Sequence, residues 1–502
     1  MKRTTLSLIA GTAALAAVTG FAALETPDAS GAVAPKAPAQ LPVERTSLVC
    51  PAPSQSDVAQ TTYTSFTPVT KGVTGNGKAE LQPATGDSTG GTSAAGTGKG
   101  NKAKSVQPVL TPKNPGTPAI GDTSGADTPS FVGTAEGKSA PGWTVQETTS
   151  VPVGTGRGLQ GVTCTAPDTE FWFPGVATSS DRTDYVDLTN PDDGAAVVDL
   201  ELYGKDGAIK STVGEGITVP PHSSKSILLS TLTSDQQTDL TLHVNVRSGR
   251  LGAAVQALDS KNGGDWLAAS ADPAGKLVLP GIPKDATDVR LIAFTPADSD
   301  ADLKIRLASS SGSITPAGNE TLHVKAGMTT AVDLGPLTRG EAGSLVLTPT
   351  DQSVPVVAAL RVTRGQGADQ ETAFIPATDS VGTRATSVDN SAKGTTLSVT
   401  APTAAAEIKV TASAGSQGGT PVTKSYSIKQ GTTQDVAIPT PAGLKGTYAL
   451  TVETVSGGPV YASRTLTETQ SGIPGFTIQT LPDDRGTVAV PEAAQDLSVL
   501  QK

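Results

Sequence analysis

Short runs of alternating apolar and polar residues recur along this chain and predict β-strands. The segments VVDLELYG (197–204) and LTLHVNV (240–246) are the clearest, so one face of each strand should meet a core and the other face water. Turn signals rich in Gly, Pro, Asn and Asp separate such runs. Beyond the first 24 residues no stretch keeps a helical period over about 12 residues. The pattern therefore predicts an all-β fold.

Matching segments recur after residue 164 at a spacing of 104 to 106 residues. Four sets of equivalent positions share this spacing: Pro191, Pro296 and Pro402; Val198, Leu303 and Ile408; Val219, Val324 and Ile428; Ala254, Ala358 and Ala462. A unit of this length is too long for a solenoid coil or a propeller blade, and it has the size of a whole β-sandwich. The chain should therefore contain three tandem sandwiches.

The first repeat contains enough strand-like segments for a complete sandwich. Seven strands are predicted, near 183–189, 196–203, 207–212, 215–219, 225–230, 240–247 and 251–258. Regular short strands separated by turn signals are typical of immunoglobulin-like or fibronectin-like sandwiches. We therefore predict sandwiches at 171–270, 277–372 and 374–466. An N-terminal β module at 46–170, with a Gly/Ser-rich insertion at 86–105, should precede them, and a C-terminal tail with strand-like segments should follow at 467–502.

The first residues have the features of an export signal. Lys2 and Arg3 precede an uncharged apolar run, Leu6–Leu24. This run exceeds a usual signal-peptide core, and about 20 apolar residues can span a bilayer. Residues 1–24 are thus predicted as a signal peptide or an uncleaved signal-anchor helix, followed by a Pro/Ala-rich spacer at 25–45. Either alternative places the protein outside the cell, secreted or on the extracellular face of the envelope, with membrane contact only through an uncleaved segment.

Export bears on the only two cysteines, Cys50 and Cys164, which lie 114 positions apart in similar Cys-x-Ala-Pro settings. Outside the cytosol, paired cysteines oxidise, and two cysteines allow one intramolecular pairing. We therefore predict a Cys50–Cys164 disulfide across the N-terminal module. Two free buried thiols and an intermolecular bridge are the alternatives.

Charge limits the class of partner. The formal net charge is -10, which argues against nucleic acid and against an anionic membrane surface as partners. Aromatic residues make up only 3% of the chain, whereas a sugar-binding face would need exposed aromatics. Trp172 is expected to anchor the first sandwich core or an interface, and Trp143 and Trp266 are the other tryptophans.

Candidate chemistry is sparse. The three histidines, His222, His243 and His323, occupy different repeat positions and read as turn or strand-face residues. The loop containing Asp298, Asp300 and Asp302 is the best candidate for a cation, yet it lacks the Gly and the distant Glu of an EF-hand, so a solvated acidic turn is expected. The Gly-rich GTGRGLQG (154–161) is not followed by a helical pattern, which excludes a phosphate loop. No catalytic, cofactor-binding or metal-binding residue is predicted.

The segment 164–207 resembles an exported actinobacterial family catalogued as a domain of unknown function. The shared features are a Cys-x-x-Pro at Cys164, the pair Trp172–Phe173, a Thr-Asn-Pro turn ending at Pro191 and a Val-Asp strand ending in Tyr-Gly-x-x-Gly at Gly207. The resemblance implies an envelope-associated β protein, and it brings no catalytic residues to carry over.

The sequence thus predicts a non-enzymatic structural or interaction protein of the cell envelope without a cofactor, whose partner is an envelope protein or a glycan. An array of carbohydrate-binding modules is the first alternative. An envelope hydrolase with a site between the N-terminal module and the first sandwich is the second.

Overall fold

The computed structural model describes residues 38–84, 107–211, 213–470 and 473–491. The predicted signal or anchor segment and the Gly/Ser-rich insertion lie outside these described residues. Within them strands predominate, accompanied by two short 3-10 turns at Leu229–Thr231 and Gly367–Asp369. The prediction of an all-β fold is confirmed. No helix in the described part of the chain is long and apolar enough to cross a bilayer.

Between β1 (Ala39–Pro42) and the last described strand, the strands form four sandwiches, each with its own core between two antiparallel sheets. The N-terminal sandwich contains β2 Arg45–Cys50, β3 Gln60–Phe66, β4 Gly77–Pro83, β5 Ala119–Ser124, β6 Phe131–Gly137, β7 Thr144–Val151 and β8 Gly158–Thr163. The first sandwich contains β9 Glu170–Val176, β10 Arg182–Asn190, β11 Ala196–Gly204, β12 Gly207–Ile209, β13 Ile217–Val219, β14 Ser223–Leu228, β15 Leu240–Ser248, β16 Gly252–Asp259 and β17 Gly263–Leu267.

The two later sandwiches follow the same plan. The second contains β18 Leu277–Ile282, β19 Ala286–Phe294, β20 Ala301–Ser309, β21 Gly312–Ile314, β22 Thr321–Val324, β23 Thr329–Asp333, β24 Gly343–Pro349, β25 Val357–Arg364 and β26 Glu371–Pro376. The third contains β27 Arg384–Asn390, β28 Thr395–Ala401, β29 Ala406–Ala412, β30 Gly418–Thr420, β31 Val422–Ile428, β32 Thr432–Val436, β33 Ala442–Lys445, β34 Tyr448–Gly457, β35 Tyr461–Gln470 and β36 Ile473–Thr480. The last strand, β37 Thr487–Val490, pairs with β1 in a separate two-stranded sheet.

One sheet has the same strand order in all four sandwiches. We call it the inner sheet: β5-β3-β7-β8, β14-β10-β16-β17, β23-β19-β25-β26 and β32-β28-β35-β36. The facing outer sheets, β2-β6-β4, β9-β15-β11-β12, β18-β24-β20-β21 and β27-β34-β29-β31, also share one plan. The N-terminal module is therefore a fourth sandwich with the topology of the three repeats, which the spacing of the sequence repeats does not reveal.

The four sandwiches close into a ring. The last strands of the inner sheets pack on one another in a cycle, β8 on β17, β17 on β26, β26 on β36 and β36 on β8. Each joint also has its own apolar cluster: Val162, Ala254 and Trp266; Trp172, Phe294 and Val357; Val278, Ala308 and Val346 of the second sandwich with the half-buried Tyr461 of the third; Phe66, Val388 and Ala449. Because every sandwich is held by two neighbours, residues 42–486 form one compact unit.

Polar groups join three sandwiches at the centre of this ring. Asp265 Oδ1 accepts hydrogen bonds from the backbone N–H of Gly161 at 2.9 Å and of Trp266 at 2.8 Å, and from the Thr477 hydroxyl at 3.0 Å. Glycine is required at position 161, since a Cβ there would lie 2.5 Å from Gln479 Nε2 and 2.8 Å from the side chain of Thr477. The centre is thus tightly packed around a carboxyl group.

A buried arginine joins the third sandwich to the N-terminal one. Arg464 Nη2 donates to Gln146 Oε1 at 2.8 Å, and the same amide oxygen accepts from the backbone N–H of Val388 at 2.9 Å. Arg464 is 1% exposed, and burial lowers its pKa to about 10. The joint that closes the ring therefore relies on a buried charged side chain as well as on apolar packing.

The predicted Cys50–Cys164 disulfide is confirmed. It joins the end of β2 to the chain leaving β8, where Val49 and Thr165 exchange backbone hydrogen bonds of 2.8 and 3.1 Å. The bond thereby connects the first and last strands of the N-terminal sandwich, across the loop that includes the insertion.

We expect the double replacement Cys50→Ala/Cys164→Ala to lower the free energy of unfolding by about 2–4 kcal/mol, because the bond restricts a loop of 114 residues in the unfolded chain. Denaturant unfolding of the wild type with and without reductant, beside the variant, measures this loss. Reductant should destabilise the wild type and leave the variant unchanged. Equal stability of the oxidised wild type and the variant would contradict the prediction.

Two observed strands cross or lie beyond the predicted ends of the repeats. Strand β26 runs through the predicted end of the second repeat at 372, and β36 lies inside the predicted tail, 467–502. In the tail, β36 pairs with β35 of the third sandwich and also packs on β8 of the N-terminal one. The strand β36 therefore contacts both the third and the N-terminal sandwiches.

Candidate ligand-binding cleft

His243, a predicted strand-face residue, lies on β15 between two carboxylates. Its Nδ1 is 2.9 Å from Glu201 and its Nε2 is 3.1 Å from Glu170, while its ring stacks on Trp172 with centroids 3.7 Å apart. The Tyr203 hydroxyl donates to Glu201 at 2.8 Å, and burial, followed by this contact, raises the pKa of Tyr203. The two carboxylates contact opposite nitrogens of the imidazole, so they share no position from which both could bind one metal ion. The imidazole ring covers one face of Trp172.

The acidic loop that includes Asp298, Asp300 and Asp302 is exposed. His323 lies against it, with Nδ1 2.8 Å from Asp302 and Nε2 3.4 Å from Asp300. The two acids again contact opposite nitrogens of one ring. Within the described ranges, no group of three or more His, Cys, Asp or Glu side chains is arranged to hold a metal ion.

His222 lies in the predicted turn and borders a groove of about 760 Å³ between the N-terminal and first sandwiches. The acids on the first-sandwich side of this groove are already paired. Asp193 contacts His222 at 2.7 Å, and Asp192 accepts two hydrogen bonds from Arg250 at 2.9 and 3.0 Å. Asp192 is therefore held in an ion pair with Arg250, and Asp193 is in contact with an imidazole ring.

All three tryptophans are buried, with at most 5% of their surface exposed. Trp143 lies in the core of the N-terminal sandwich. Trp172 points away from the core of the first sandwich and stacks on Phe294 of the second, and Trp266 packs at the joint with the N-terminal sandwich. The tryptophans therefore belong to cores and joints and do not form an exposed platform for sugar rings.

A polar cleft of about 430 Å³ opens between the first and second sandwiches. One wall is the surface of the second inner sheet, where Asp288 and Arg290 alternate along β19 with the core residues Val289 and Leu291. Further along β19 the same surface carries Phe294, which packs on the first sandwich. The joint is thus apolar at one end of the strand and charged at the other, where the cleft lies.

Two arginines of the cleft are fixed by paired hydrogen bonds. Arg182 donates through Nε and Nη2 to Asp184 at 3.0 and 2.8 Å, and Arg290 donates in the same way to Asp239 at 3.0 and 2.8 Å. Burial opposes ionisation of Asp239, but the bonds from Arg290 lower its pKa overall. Such bidentate pairs hold the guanidinium planes rigidly. In the described chain neither Nη1 group has a hydrogen-bond partner.

Arg361 is the third arginine of the cleft and lies opposite Arg290 on the neighbouring strand, β25. It is partly buried, and it makes no hydrogen bond or ion pair with any residue the structure describes. Burial, followed by the charge of Arg182, lowers the pKa of Arg361. A partly buried guanidinium without a direct partner is costly unless a ligand or water satisfies it.

The acids that line the cleft have partners of their own. Asp181 lies 3.8 Å from the ammonium group of Lys261, and Asp259 accepts from backbone N–H groups of the β16–β17 turn at 2.7 and 2.8 Å. Asp288 shares a hydrogen bond with Asp333; burial, and after it this contact, raise the pKa of Asp288. The positive charge of Arg361 is therefore not neutralised by direct contact.

These arginines are not among the candidate residues predicted from the sequence, because histidines and acidic runs are the more familiar signals of a functional site. A signal is nevertheless present. Arg290 in DVRLIAF lies between Val289 and Leu291, and Arg361 in ALRVTR lies between Leu360 and Val362. A charged residue on the outward face of an inner-sheet strand is expected to be paired or to meet a ligand when another domain covers that face.

The sequence profile of DUF5719, a family of unknown function, matches residues 119–439. The match covers more than half of the chain and includes the whole cleft. No curated protein matches the chain.

Proposed function

The chain belongs to DUF5719, a family of unknown function, and we propose that it is a non-enzymatic, exported interaction protein of the cell envelope. The observation that carries this proposal is the closure of the four sandwiches into a ring. Because each sandwich is held by two neighbours, the walls of the cleft keep fixed positions without a ligand. A preformed site binds with a small ordering cost, which suits recognition.

The contacts of the reactive side chains support a role without catalysis. The ring nitrogens of His243 and His323, and Nε2 of His222, lie against carboxylates. Both cysteines are oxidised, so neither provides a thiolate. We assign no catalytic residue, cofactor or metal.

Two features support an extracellular location. The disulfide is characteristic of oxidising compartments, and the apolar segment Leu6–Leu24 is suited to export. The net charge of -10 favours neither nucleic acid nor an anionic bilayer as partner. We therefore place the partner among envelope proteins and glycans.

The cleft favours a glycan over a protein partner. Sugar rings usually stack on a row of exposed aromatic side chains. The three tryptophans are buried and do not form such a row. The cleft offers an alternative, because its fixed arginines, acids and amides can exchange hydrogen bonds with hydroxyl groups. We therefore propose, more specifically, that the partner is a carbohydrate of the envelope.

Co-sedimentation of the exported full chain with isolated cell envelopes tests the proposal. We expect saturable binding that survives protease treatment of the envelopes, together with no release of soluble saccharide during prolonged incubation. A chain that remains in the supernatant would refute envelope association. Steady release of saccharide would refute the non-enzymatic role.

A further inference from the structure

Guanidinium N–H groups in the cleft between the first and second sandwiches have no acceptor within the described chain. Arg182 and Arg290 are neutralised by their own aspartates but keep Nη1 donors, and Arg361 has neither hydrogen bond nor ion pair in the described chain. A guanidinium group pairs with carboxylate or phosphate oxygens through two parallel bonds. The site therefore has one guanidinium ready for an anionic group, beside two that are already oriented.

The remaining lining matches hydroxyl groups. It consists of neutral polar side chains from both sandwiches: Ser179, Thr238, Asn262, Thr363, Gln370 and Thr372. Amides and hydroxyls both donate and accept, and carboxylates such as Asp259 accept from hydroxyls. The volume of about 430 Å³ lies within the range usual for small-molecule sites. An inorganic anion alone would leave most of these groups without a partner.

We propose that this cleft binds a hydroxylated anion, a sugar that carries a carboxylate or phosphate group, and that Arg361 holds the anionic group. This inference rests on the proposed function and names the ligand class of the same cleft. The carboxylate or phosphate should lie against Arg361, and the hydroxyl groups should reach the amide and hydroxyl side chains of the opposite wall.

Calorimetric titration of the full chain tests the assignment. The ligands are glucuronate, glucose 1-phosphate, glucose and inorganic phosphate, and the variants are Arg361→Gln, Arg361→Lys and the control Arg306→Gln. Arg306 is exposed on the outer sheet of the same sandwich, and its replacement changes the charge equally. A thermal melt of each variant verifies that the fold is retained.

We expect glucuronate, glucose 1-phosphate or both to bind more tightly than glucose and inorganic phosphate. Arg361→Gln should weaken this binding about tenfold or more, because a charge-assisted contact is lost; Arg361→Lys should retain part of it, and Arg306→Gln all of it. Binding unaffected by Arg361→Gln, or no binding of either anionic sugar, would overturn the assignment. Tighter binding of an acidic peptide than of either anionic sugar, lost in Arg361→Gln, would also overturn it, since the cleft would then be a protein-docking site.

The co-sedimentation assay separates the two proposals. If Arg361→Gln and wild-type chains bind envelopes equally while no anionic sugar binds the wild type, the cleft assignment fails and the envelope role stands. If the wild type binds an anionic sugar through Arg361 but does not bind envelopes, the envelope role fails and the cleft assignment stands.

Discussion

Replacement of Asp265 by alanine should lower the free energy of unfolding by about 3–5 kcal/mol, the range seen when one member of a buried polar network is removed. The carboxyl group is fully buried, and one oxygen accepts hydrogen bonds from Gly161, Trp266 and Thr477. These donors belong to the N-terminal, first and third sandwiches. Alanine would leave two buried backbone N–H groups and a hydroxyl without their acceptor, and such groups cannot recover their hydration inside the ring.

Asp265→Asn provides the matched control. Burial raises the pKa of Asp265 well above its usual range, despite the opposing hydrogen bonds, so a neutral side chain suits this position. Asparagine keeps a carbonyl oxygen for the three donors, and we expect a loss of only about 1 kcal/mol. Urea unfolding followed by circular dichroism measures both variants. An alanine variant as stable as the asparagine variant would show that Asp265 does not hold the ring together.

The alternation of polar and apolar residues predicts most strands of the first sandwich, but it misses two strands that are buried on both faces. Seven strands are predicted in the first sandwich, and each corresponds to an observed strand within a few residues. The two strands it does not predict are β9 and β17, whose residues are almost all buried. Both lie at joints, where the second face meets another sandwich and polar residues are no longer required.

The ring itself is beyond the reach of a single sequence. The repeat spacing reveals three sandwiches, but the fourth shares only their topology, and its outer sheet has three strands. Closure depends on contacts such as Arg464 with Gln146, which are 318 positions apart. Nothing local in either segment encodes that pairing.

The same reason explains the uneven prediction of the functional residues. The disulfide can be predicted because cysteines of an exported chain oxidise and two cysteines allow one intramolecular pairing. The cleft, in contrast, depends on partners from different sandwiches, as with Arg290 and Asp239, which are 51 positions apart. Arg290 stands out in the sequence as a charge between Val289 and Leu291, but only the joint between sandwiches gives it a partner and places it in a cleft.

The stability of the ring should fall as the pH rises from about 4 to 7. Asp187 is 3% exposed and lies beside a cavity of about 20 Å³ at the joint between the N-terminal and first sandwiches. Burial raises its pKa to about 7, against a smaller opposing effect of the Ser226 hydroxyl. The carboxyl group of Glu147 is close enough to interact with it, and burial, followed by Asp187, raises the pKa of Glu147 as well.

The sign of the pH effect follows from proton binding. A carboxyl group with a higher pKa in the folded state binds its proton more tightly there, so between pH 4 and 7 the folded chain holds more protons than the unfolded chain. The free energy of unfolding therefore declines as the pH rises from about 4 to 7. Above about pH 7 the carboxyl group of Asp187 causes no further change with pH. A pKa shift of about three units at 1.36 kcal/mol each gives a loss of about 4 kcal/mol for Asp187.

Asp187→Asn removes this ionisation. Between pH 4 and pH 8 the free energy of unfolding of the variant should therefore increase by about 4 kcal/mol relative to that of the wild type. Urea unfolding at intervals of half a pH unit measures the difference. Asp206→Asn, at an exposed carboxylate of the first sandwich, is the control for the loss of one acid. Its difference from the wild type should change little over the range. Parallel profiles for Asp187→Asn and the wild type would mean that Asp187 is already ionised in the folded ring, and that the joint tolerates its buried charge.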